Sequence, residues 1–268
     1  MTQEIEDSLI ICSNDPQKSN GDIAKQITTW QMPDTNYRLL QETSKELYDL
    51  YFDTPDLLLQ TKKISLRIRE VCGKRFITAK LPSGLQTDDD MKRSDTEIER
   101  EWSQDDLIYV IREIASSGEI KLSGMNQDLD MNQSIHDIMK GIGFEVVQDR
   151  YTHREIRNVI WNNNTDSVLT EMAIDSVIYT IKDNKVNHYN VEVEEKKNNG
   201  SNARRIIIEY LLSSSYGSFL RKWKYGKLAI GKGVDRLIKA RCLREEEYRN
   251  LSSVTYDKIE KLITAGII

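Results

Sequence analysis

The sequence lacks any long run of apolar residues. Only 38% of its 268 residues are hydrophobic while 30% are charged, and no stretch approaches the roughly 20 apolar residues that a membrane-spanning helix needs. The acidic opening Met1–Glu6 also lacks the basic and apolar regions of a signal peptide. We therefore expect no spanning helix and, by default, a cytoplasmic protein.

Cysteine and histidine are scarce. The three cysteines are odd in number and lack the spacing of metal ligands, which is typical of reduced thiols in an intracellular protein. They are Cys12, Cys72 and Cys242. The three histidines show no ligand spacing either, and their positions are typical of surface or boundary residues. They are His136, His153 and His188.

The chain also lacks an excess of positive charge. Its formal net charge of −5 argues against binding duplex nucleic acid through a basic surface. Bases alternate with aromatics at 222–227, as in single-strand binders, but helix packing with one lysine directed into a site is the favoured interpretation. Gly231-Lys232-Gly233 lacks the preceding strand and the spacing of a phosphate-binding P-loop. We expect no nucleic-acid partner.

No internal repeat and no long linker divides the chain. Its length is ample for one large hydrophobic core. We predict one domain over residues 1–235 and a C-terminal helical extension over residues 236–268, packed on the same domain.

Alternation of polar and apolar residues predicts a sheet-rich domain. Pro55 should end the strand that contains Tyr51, and in the following strand Arg67 and Arg69 share one face. The predicted strands are 3–12, 36–43, 46–53, 65–70, 74–81, 93–102, 144–161, 167–181 and 186–197. The predicted helices are 22–30, 105–116, 132–141 and most of the chain beyond 200, interrupted near 213–217 and 231–233. Residues 82–92 and 162–166 are predicted to form a loop and a turn.

One face of successive strands collects charges of both signs while the other is apolar. A water-facing side of an open antiparallel sheet explains this for any one strand. Because so many strands share the pattern, closure into a barrel with a charged interior is the alternative. Two carboxylates about 5 Å apart repel by roughly 3 kcal/mol at an effective dielectric near 20. A lumen lined by acids therefore needs cations, and a metal ion beside arginines suits a chain of phosphates.

These residues resemble the CYTH, or triphosphate tunnel metalloenzyme, superfamily over most of residues 3–230. The segments that carry the resemblance are Glu4–Glu6, Tyr51–Pro55, Ser65–Arg69, Thr78–Lys80, Glu97–Glu99, Ile174–Val177, Glu192–Glu194 and Trp223–Tyr225. The resemblance implies an α+β fold: a closed antiparallel eight-stranded β-barrel, or tunnel, with helices packed outside. It also implies a triphosphate-bearing partner (inorganic triphosphate, nucleoside triphosphate or polyphosphate) bound with Mg²⁺ or Mn²⁺.

The resemblance further implies roles for individual residues. Those implied to hold metal are Glu4, Glu6, Glu192 and Glu194. Those implied to bind substrate or line the tunnel are Arg67, Arg69, Lys80, Arg150, Arg154, Lys224, Glu97, Glu99 and Asp175. Those implied to take part in catalysis are Glu4, Glu6 and Lys80.

One departure from the family pattern leaves the function open. The family's opening motif is Glu-x-Glu-x-Lys, and Ser8 occupies the lysine position. Either another base such as Lys80 or Lys224 substitutes, and the protein is a metal-dependent triphosphate hydrolase, or it binds or senses its ligand with weak or no turnover. Cyclisation of ATP and polyphosphate synthesis are related chemistries. An all-β scaffold with solvated strand faces and no ligand is the third hypothesis.

Overall fold

The structure is a computed structural model that describes residues 2–15, 17–33, 36–82, 92–118, 120, 129–162, 167–197 and 200–268. It is α+β, with a large antiparallel sheet, as predicted. The strands in the described ranges are β1 Thr2–Ile11, β2 Tyr37–Gln41, β3 Lys45–Asp53, β4 Ser65–Val71, β5 Lys74–Pro82, β6 Lys92–Glu101, β7 Glu145–Trp161, β8 Thr170–Ile181, β9 Asn184–Glu195 and β10 Leu220–Lys222. The helices are α1 Asn20–Thr28, α2 Leu58–Thr61, α3 Gln104–Gly118, α4 Ile135–Ile142, α5 Ser201–Ser213, α6 Lys227–Lys239 and α7 Ser253–Thr264.

The chain divides into two compact units. The first unit is formed mainly by the described parts of Leu47–Gln86 and Ser94–Arg150, and the second mainly by those of Glu4–Glu46 and Tyr151–Ile268. The predicted domain boundary at residue 235 falls inside α6 and stays a prediction, as does the closure of eight strands into one barrel.

In the first unit, strands β3, β4, β5 and β6 pair antiparallel in that order. One face of these strands carries Leu66, Ile68 and Ile77, which pack with apolar residues of α3 and α4 in a single core. Side chains alternate between the two faces of a strand, so the intervening positions share the opposite, polar face. The predicted alternation is confirmed for this sheet.

In the second unit, β9 pairs with both β8 and β1, and β1 also pairs with the short strand β10. Strand β2 pairs with β7. One face of β1, β8 and β9 contributes Leu9, Ile174 and Val191 to a core shared with α1 and α5. The other face carries charged residues towards the start of β1 and becomes apolar further along.

The apolar end of that second face is covered by the C-terminal helices. Ile10 and Tyr179 pack there with Trp223, Val234 of α6 and Ile259 of α7. Because Asp175, Val177 and Tyr179 alternate along β8, the residues under these helices continue the row that carries Asp175. The C-terminal helices therefore close one end of the polar face of the second unit.

Two secondary-structure predictions beyond residue 200 are wrong. Helix α6 continues through 231–233, where an interruption was predicted, because Gly233 lies in the contact between α6 and α7 instead of ending a helix. Residues 220–222 form β10 instead of a helix, because Leu9 pairs with Lys222 across the strands. Most of the predicted loop at 82–92 and of the predicted turn at 162–166 lies outside the described residues. None of the described helices is long and apolar enough to cross a membrane.

Candidate functional site

Three arginines converge on one aspartate in the first unit. Strand register places Asp49 of β3 opposite Arg69 of β4, and Tyr51 opposite Arg67, so all four share the polar face. Arg150 of β7, the last residue of this unit, binds the same aspartate. We call these five residues the arginine cluster.

The arginine cluster is held by short, charge-assisted hydrogen bonds. Arg69 binds Asp49 through two parallel bonds, Nε to Oδ1 at 2.7 Å and Nη2 to Oδ2 at 3.0 Å. Arg150 Nη2 donates to Asp49 Oδ2 at 2.6 Å and to the Tyr51 hydroxyl at 2.7 Å. These contacts gather three planar guanidinium groups around one carboxylate, and such groups suit phosphate oxygens.

Burial and charge act in opposite directions on Asp49. Its side chain is 0% exposed, and burial alone would raise the pKa of its carboxyl. The positive charges of Arg150, Arg69 and Arg67 together outweigh burial and lower the pKa of Asp49 well below its ordinary value. The carboxylate is therefore charged at neutral pH and acts as the counter-ion of the cluster.

In its described ion pairs the arginine cluster has more bases than acids. Glu97 of β6 accepts a hydrogen bond from Arg67 at 3.2 Å, so three guanidinium groups share two carboxylates in these contacts. Within the described residues the buried Nε of Arg67 donates no hydrogen bond, and it lies 4.0 Å from Asp49 Oδ1. A buried donor without an acceptor, beside three guanidinium groups, is suited to an added anion.

Lys80 and Glu99 lie on the same polar face. Lys80 of β5 pairs in register with Glu97, and Glu99 accepts a hydrogen bond from the Thr78 hydroxyl at 3.1 Å. Glu97 and Lys80 are half-buried, whereas Glu99 is exposed. The sheet thus continues the charged face outward from the arginines.

A second cluster, in the second unit, is built around two acids. Arg154 of β7 donates two bonds to Asp175 of β8, at 2.8 and 2.7 Å, and one to Glu192 of β9 at 2.8 Å. Lys227, the first residue of α6, forms ion pairs with the same two acids, and its Nζ lies 2.9 Å from Asp175 Oδ2. We call these four residues the carboxylate cluster.

All members of the carboxylate cluster that show a pKa shift are held in their charged forms. Burial alone would raise the pKa of Asp175, but Arg154 and Lys227 lower it below its ordinary value. Burial likewise opposes the charge of Arg154, and the neighbouring acids raise its pKa well above the ordinary value. Asp175 and Arg154 therefore meet as ions, and each acid of the cluster contacts both bases.

A row of glutamates runs beside the carboxylate cluster. Glu6 of β1 is directly opposite Glu194 of β9, which is opposite Glu171 of β8. Lys196 contacts Glu194 at 2.7 Å and Glu171 at 3.7 Å. Cβ atoms of directly paired residues lie about 4.5–5.5 Å apart, so three acids share one narrow region of the polar face.

This row has the chemistry of a magnesium or manganese site. Hard divalent cations prefer carboxylate oxygens, and Glu6, Glu194 and Glu171 offer them on adjacent strands. Among the residues that the structure describes, no group of three or more metal-ligating side chains is already drawn together around one point. The donor types fit such an ion, and binding would require the glutamates to turn towards it.

The structure places most of the predicted site residues in these two clusters and the glutamate row. Arg150 and Arg154, predicted as alternatives or partners, belong to different clusters. Lys224 is exposed, and its Nζ lies 5.6 Å from the centre of the Tyr225 ring. The side chain of Glu4 lies outside the described residues.

Sequence reasoning assigned no site role to three members of the clusters, Asp49, Tyr51 and Lys227. Asp49 interrupts an otherwise apolar run in β3, at the same parity as Tyr51, and this isolated charge was the available signal. Lys227 had no comparable signal, because only the fold of α6 against β8 brings it to Asp175. Lys227 lies far along the chain from Asp175 of β8, so no local sequence pattern connects the two residues.

The family comparison agrees with this geometry. The family model described as the CYTH domain matches residues 19–217, and the chain belongs to this family. No curated protein matches the chain.

Solved structures resemble the chain in fold. HpAC1 from Hippeastrum, a proposed adenylyl cyclase described as having a dominant triphosphatase activity, is 14% identical with a TM-score of 0.53, covering 91% of this chain and 99% of its own. A proposed adenylate cyclase from Bacillus halodurans is 16% identical, with a TM-score of 0.45, covering 85% and 97%. The Pct1 RNA triphosphatase of S. pombe is 11% identical, with a TM-score of 0.33, covering 92% and 87%. At such identities the similarity to HpAC1 shows the fold alone.

Proposed function

We propose that the protein is a divalent-metal-dependent hydrolase of triphosphate-bearing substrates, either inorganic triphosphate or a nucleoside triphosphate. The observation that carries the proposal is the arginine cluster, in which Arg67, Arg69 and Arg150 share the buried carboxylate of Asp49. Membership of the CYTH domain family supports it. The triphosphatase activity described for HpAC1 points in the same direction.

The arginines supply the anion-binding part of this function. Their guanidinium groups are ordered by Asp49 and Tyr51 before any ligand arrives, so little side-chain entropy is lost on binding. A phosphate chain offers several oxygens to these donors, including the buried Nε of Arg67. Lys80 extends the positive surface along β5, and fixed positive charge stabilises negative charge that develops as a phosphoanhydride breaks.

The acidic residues supply the metal-binding part. Glu6, Glu192 and Glu194, with Glu4, are the residues that would hold Mg²⁺ or Mn²⁺, which draws charge from phosphate oxygens and favours attack by water. Arg154 holds Asp175 and Glu192 in place through three hydrogen bonds. These bonds orient both acids and help to keep Asp175 ionised.

A binding module without turnover is the second candidate. It is favoured by Ser8, a small neutral residue directly opposite Glu192 where the family motif has lysine. A serine there cannot supply positive charge to a phosphoryl group. In that case the arginine cluster would still capture a nucleotide or polyphosphate.

A phosphate-release assay separates the two candidates. Purified protein is given inorganic triphosphate, ATP or GTP with Mg²⁺ or Mn²⁺, and binding is measured in parallel by calorimetry. We expect phosphate release that is lost in Glu192→Gln, Glu194→Gln and Glu4→Gln. The matched control is Glu209→Gln on α5, an exposed glutamate paired only with Arg205 in the described contacts.

Each result has one meaning. Release that depends on Glu192 but not on Glu209 supports the hydrolase. Tight binding with no product from any of the three substrates leaves the binding module. If the protein neither binds these substrates nor releases phosphate from them, both candidates are refuted. The polar faces are then ordinary solvated surfaces.

A further inference from the structure

Phe76 is an aromatic residue on the polar face of the first unit. Strand register places it between Arg69 of β4 and Glu101 of β6, so it shares its row of the sheet with a member of the arginine cluster. Its side chain is half-buried, and it is not among the residues that form the hydrophobic cores of the described chain. An aromatic ring outside these cores, on a face rich in charge, is available to a ligand.

A cavity opens beside Glu101, at the turn between β4 and β5. Its volume is about 350 Å³, within the range of about 300–1,000 Å³ that is typical of small-molecule pockets. Lys74 and Glu101, which both lie on the polar face, form an ion pair at 3.0 Å on its wall. The cavity therefore offers a hydrogen-bond donor and an acceptor beside aromatic surface. The residues that line it are Glu70, Gly73, Lys74, Arg75, Glu101 and Trp102.

The cavity lies close to the arginine cluster. Neighbouring strands are about 4.8 Å apart, so Phe76 lies one strand from Arg69, and Glu101 lies two strands, or about 10 Å, from it. All of these residues belong to the first unit. A nucleoside joined to phosphates at the arginine cluster can therefore extend past Phe76 to the cavity. Inorganic triphosphate has no group to place there.

We propose that Phe76 and this cavity form a nucleoside subsite, in which the base of a nucleoside triphosphate stacks on the Phe76 ring. The inference rests on the proposed function and deepens it, because it selects nucleoside triphosphates over inorganic triphosphate as the substrate class. Stacking requires no particular base, since every base has a π-face. Lys74 and Glu101 then offer a donor and an acceptor to the edge of the base or to the ribose.

The test removes the aromatic ring and compares two kinds of ligand. Phe76→Leu keeps an apolar side chain, and we expect its affinity for ATP and GTP to fall roughly 5- to 50-fold, because base–aromatic stacking contributes strongly to binding. Its affinity for inorganic triphosphate, which has no base, should stay within about twofold of the wild type. Each ligand is added with Mg²⁺, and affinity is measured by calorimetry, or as kcat/KM where phosphate is released.

Two further variants separate stacking from folding. Phe76→Tyr keeps a ring and should retain the affinity for ATP. Phe219→Leu makes the same substitution at a half-buried phenylalanine that packs on the core of the second unit, and it should change neither affinity. Binding of inorganic triphosphate by Phe76→Leu shows in the same experiment that this variant is folded.

A second measurement needs no variant. The chain has four phenylalanines, so the ring protons of Phe76 can be followed by NMR in protein with selectively labelled phenylalanine. We expect saturating ATP to shift these signals upfield, because the stacked base adds a ring current. Inorganic triphosphate should produce no such shift.

The inference is overturned if Phe76→Leu binds ATP as tightly as the wild type, or if ATP leaves the Phe76 signals where inorganic triphosphate leaves them. It is also overturned if a folded Phe76→Leu loses the same factor in affinity for ATP and for inorganic triphosphate. A wild type that binds inorganic triphosphate but no nucleoside triphosphate would overturn it too, and would leave the proposed function intact. Failure of the wild type to bind either ligand would refute the proposed function, and the inference with it.

Discussion

At the scale of single residues, Asp49 is the acid on which the arginine cluster depends. It is the common partner of Arg67, Arg69 and Arg150, and its side chain is fully buried. Removing its charge would leave three guanidinium groups facing one another with only Glu97 as a described acidic contact. Breaking a buried ion pair from one side usually costs about 3–5 kcal/mol.

We predict that Asp49→Asn lowers the free energy of unfolding by about 3 kcal/mol or more at pH 7, measured by urea denaturation. Saturating tripolyphosphate should restore part of the loss, because the added anion replaces the missing counter-ion. Asp183→Asn, in the exposed turn between β8 and β9, is the control and should change stability by less than about 0.5 kcal/mol. Equal effects of the two substitutions would contradict the central role of Asp49.

Asp49 should also shape the acid limb of the stability profile. Its pKa is lower in the folded protein than the roughly 3.9 of an unfolded chain. The carboxylate therefore contributes stability that is fully present above about pH 4 and is lost as pH falls through the folded pKa. We expect Asp49→Asn to be less sensitive to acid than the wild type between pH 4 and pH 2, measured by denaturation at each pH.

The stability contributed by His153 depends on pH in the opposite direction. Burial alone would lower its pKa, but hydrogen bonds from its two ring nitrogens to Glu46 at 2.7 Å and Glu155 at 3.1 Å raise it. Its contribution to stability is thus present below the unfolded pKa of about 6.5 and is lost as pH rises through the folded pKa. We predict an NMR titration midpoint above 6.5 that falls in Glu46→Gln. Glu42→Gln, which removes an acid bonded to Asn158, should leave the midpoint unchanged.

At the scale of elements, local patterns predicted the long strands better than the structure beyond residue 200, where α6 and β10 were wrongly predicted. The alternation at Arg67, Ile68 and Arg69 was sufficient, because a strand with one buried face repeats every two residues. Glycines in α6 were harder to interpret, since glycine ends some helices and permits close packing in others. A Cβ added at Gly233 would lie 2.7 Å from Cγ2 of Ile259. That contact forms only in the tertiary structure, so the local sequence does not indicate it.

The two roles of glycine can be compared directly in this chain. We predict that Gly233→Ala is destabilising, because roughly 1–3 kcal/mol of overpacking strain exceeds a helix-propensity gain of about 1 kcal/mol. Gly141→Ala in α4, where a Cβ would meet nothing within 4 Å, should be stabilising by up to about 1 kcal/mol. Urea denaturation of both variants measures this. A stabilising Gly233→Ala would show that α7 yields easily at this contact.

At the scale of the whole molecule, what could be predicted was the chemistry of each strand face. Parity along the strands assigned Arg67, Arg154 and Glu192 to polar faces, and the register confirms that they lie there. It could not assign Lys227, whose contact with Asp175 joins residues 52 positions apart in sequence through the packing of α6. Whether the polar faces enclose one lumen stays a prediction.

The net charge of the molecule makes polyanion binding a stringent test of the proposed site. A chain of net charge −5 repels triphosphate overall, so strong stabilisation by triphosphate requires a local cationic site. We predict that tripolyphosphate with Mg²⁺, at a hundredfold excess over Kd, stabilises the fold by about 2.7 kcal/mol, which thermal denaturation detects as a shift of several degrees.

The shift should disappear in Arg67→Met, which removes a buried guanidinium group. It should persist in Arg75→Met, since Arg75 is 51% exposed and pairs with Glu70 on the surface. An equal shift in both variants would mean that triphosphate binds through diffuse surface charge, and the arginine cluster would then have no part in recognising it.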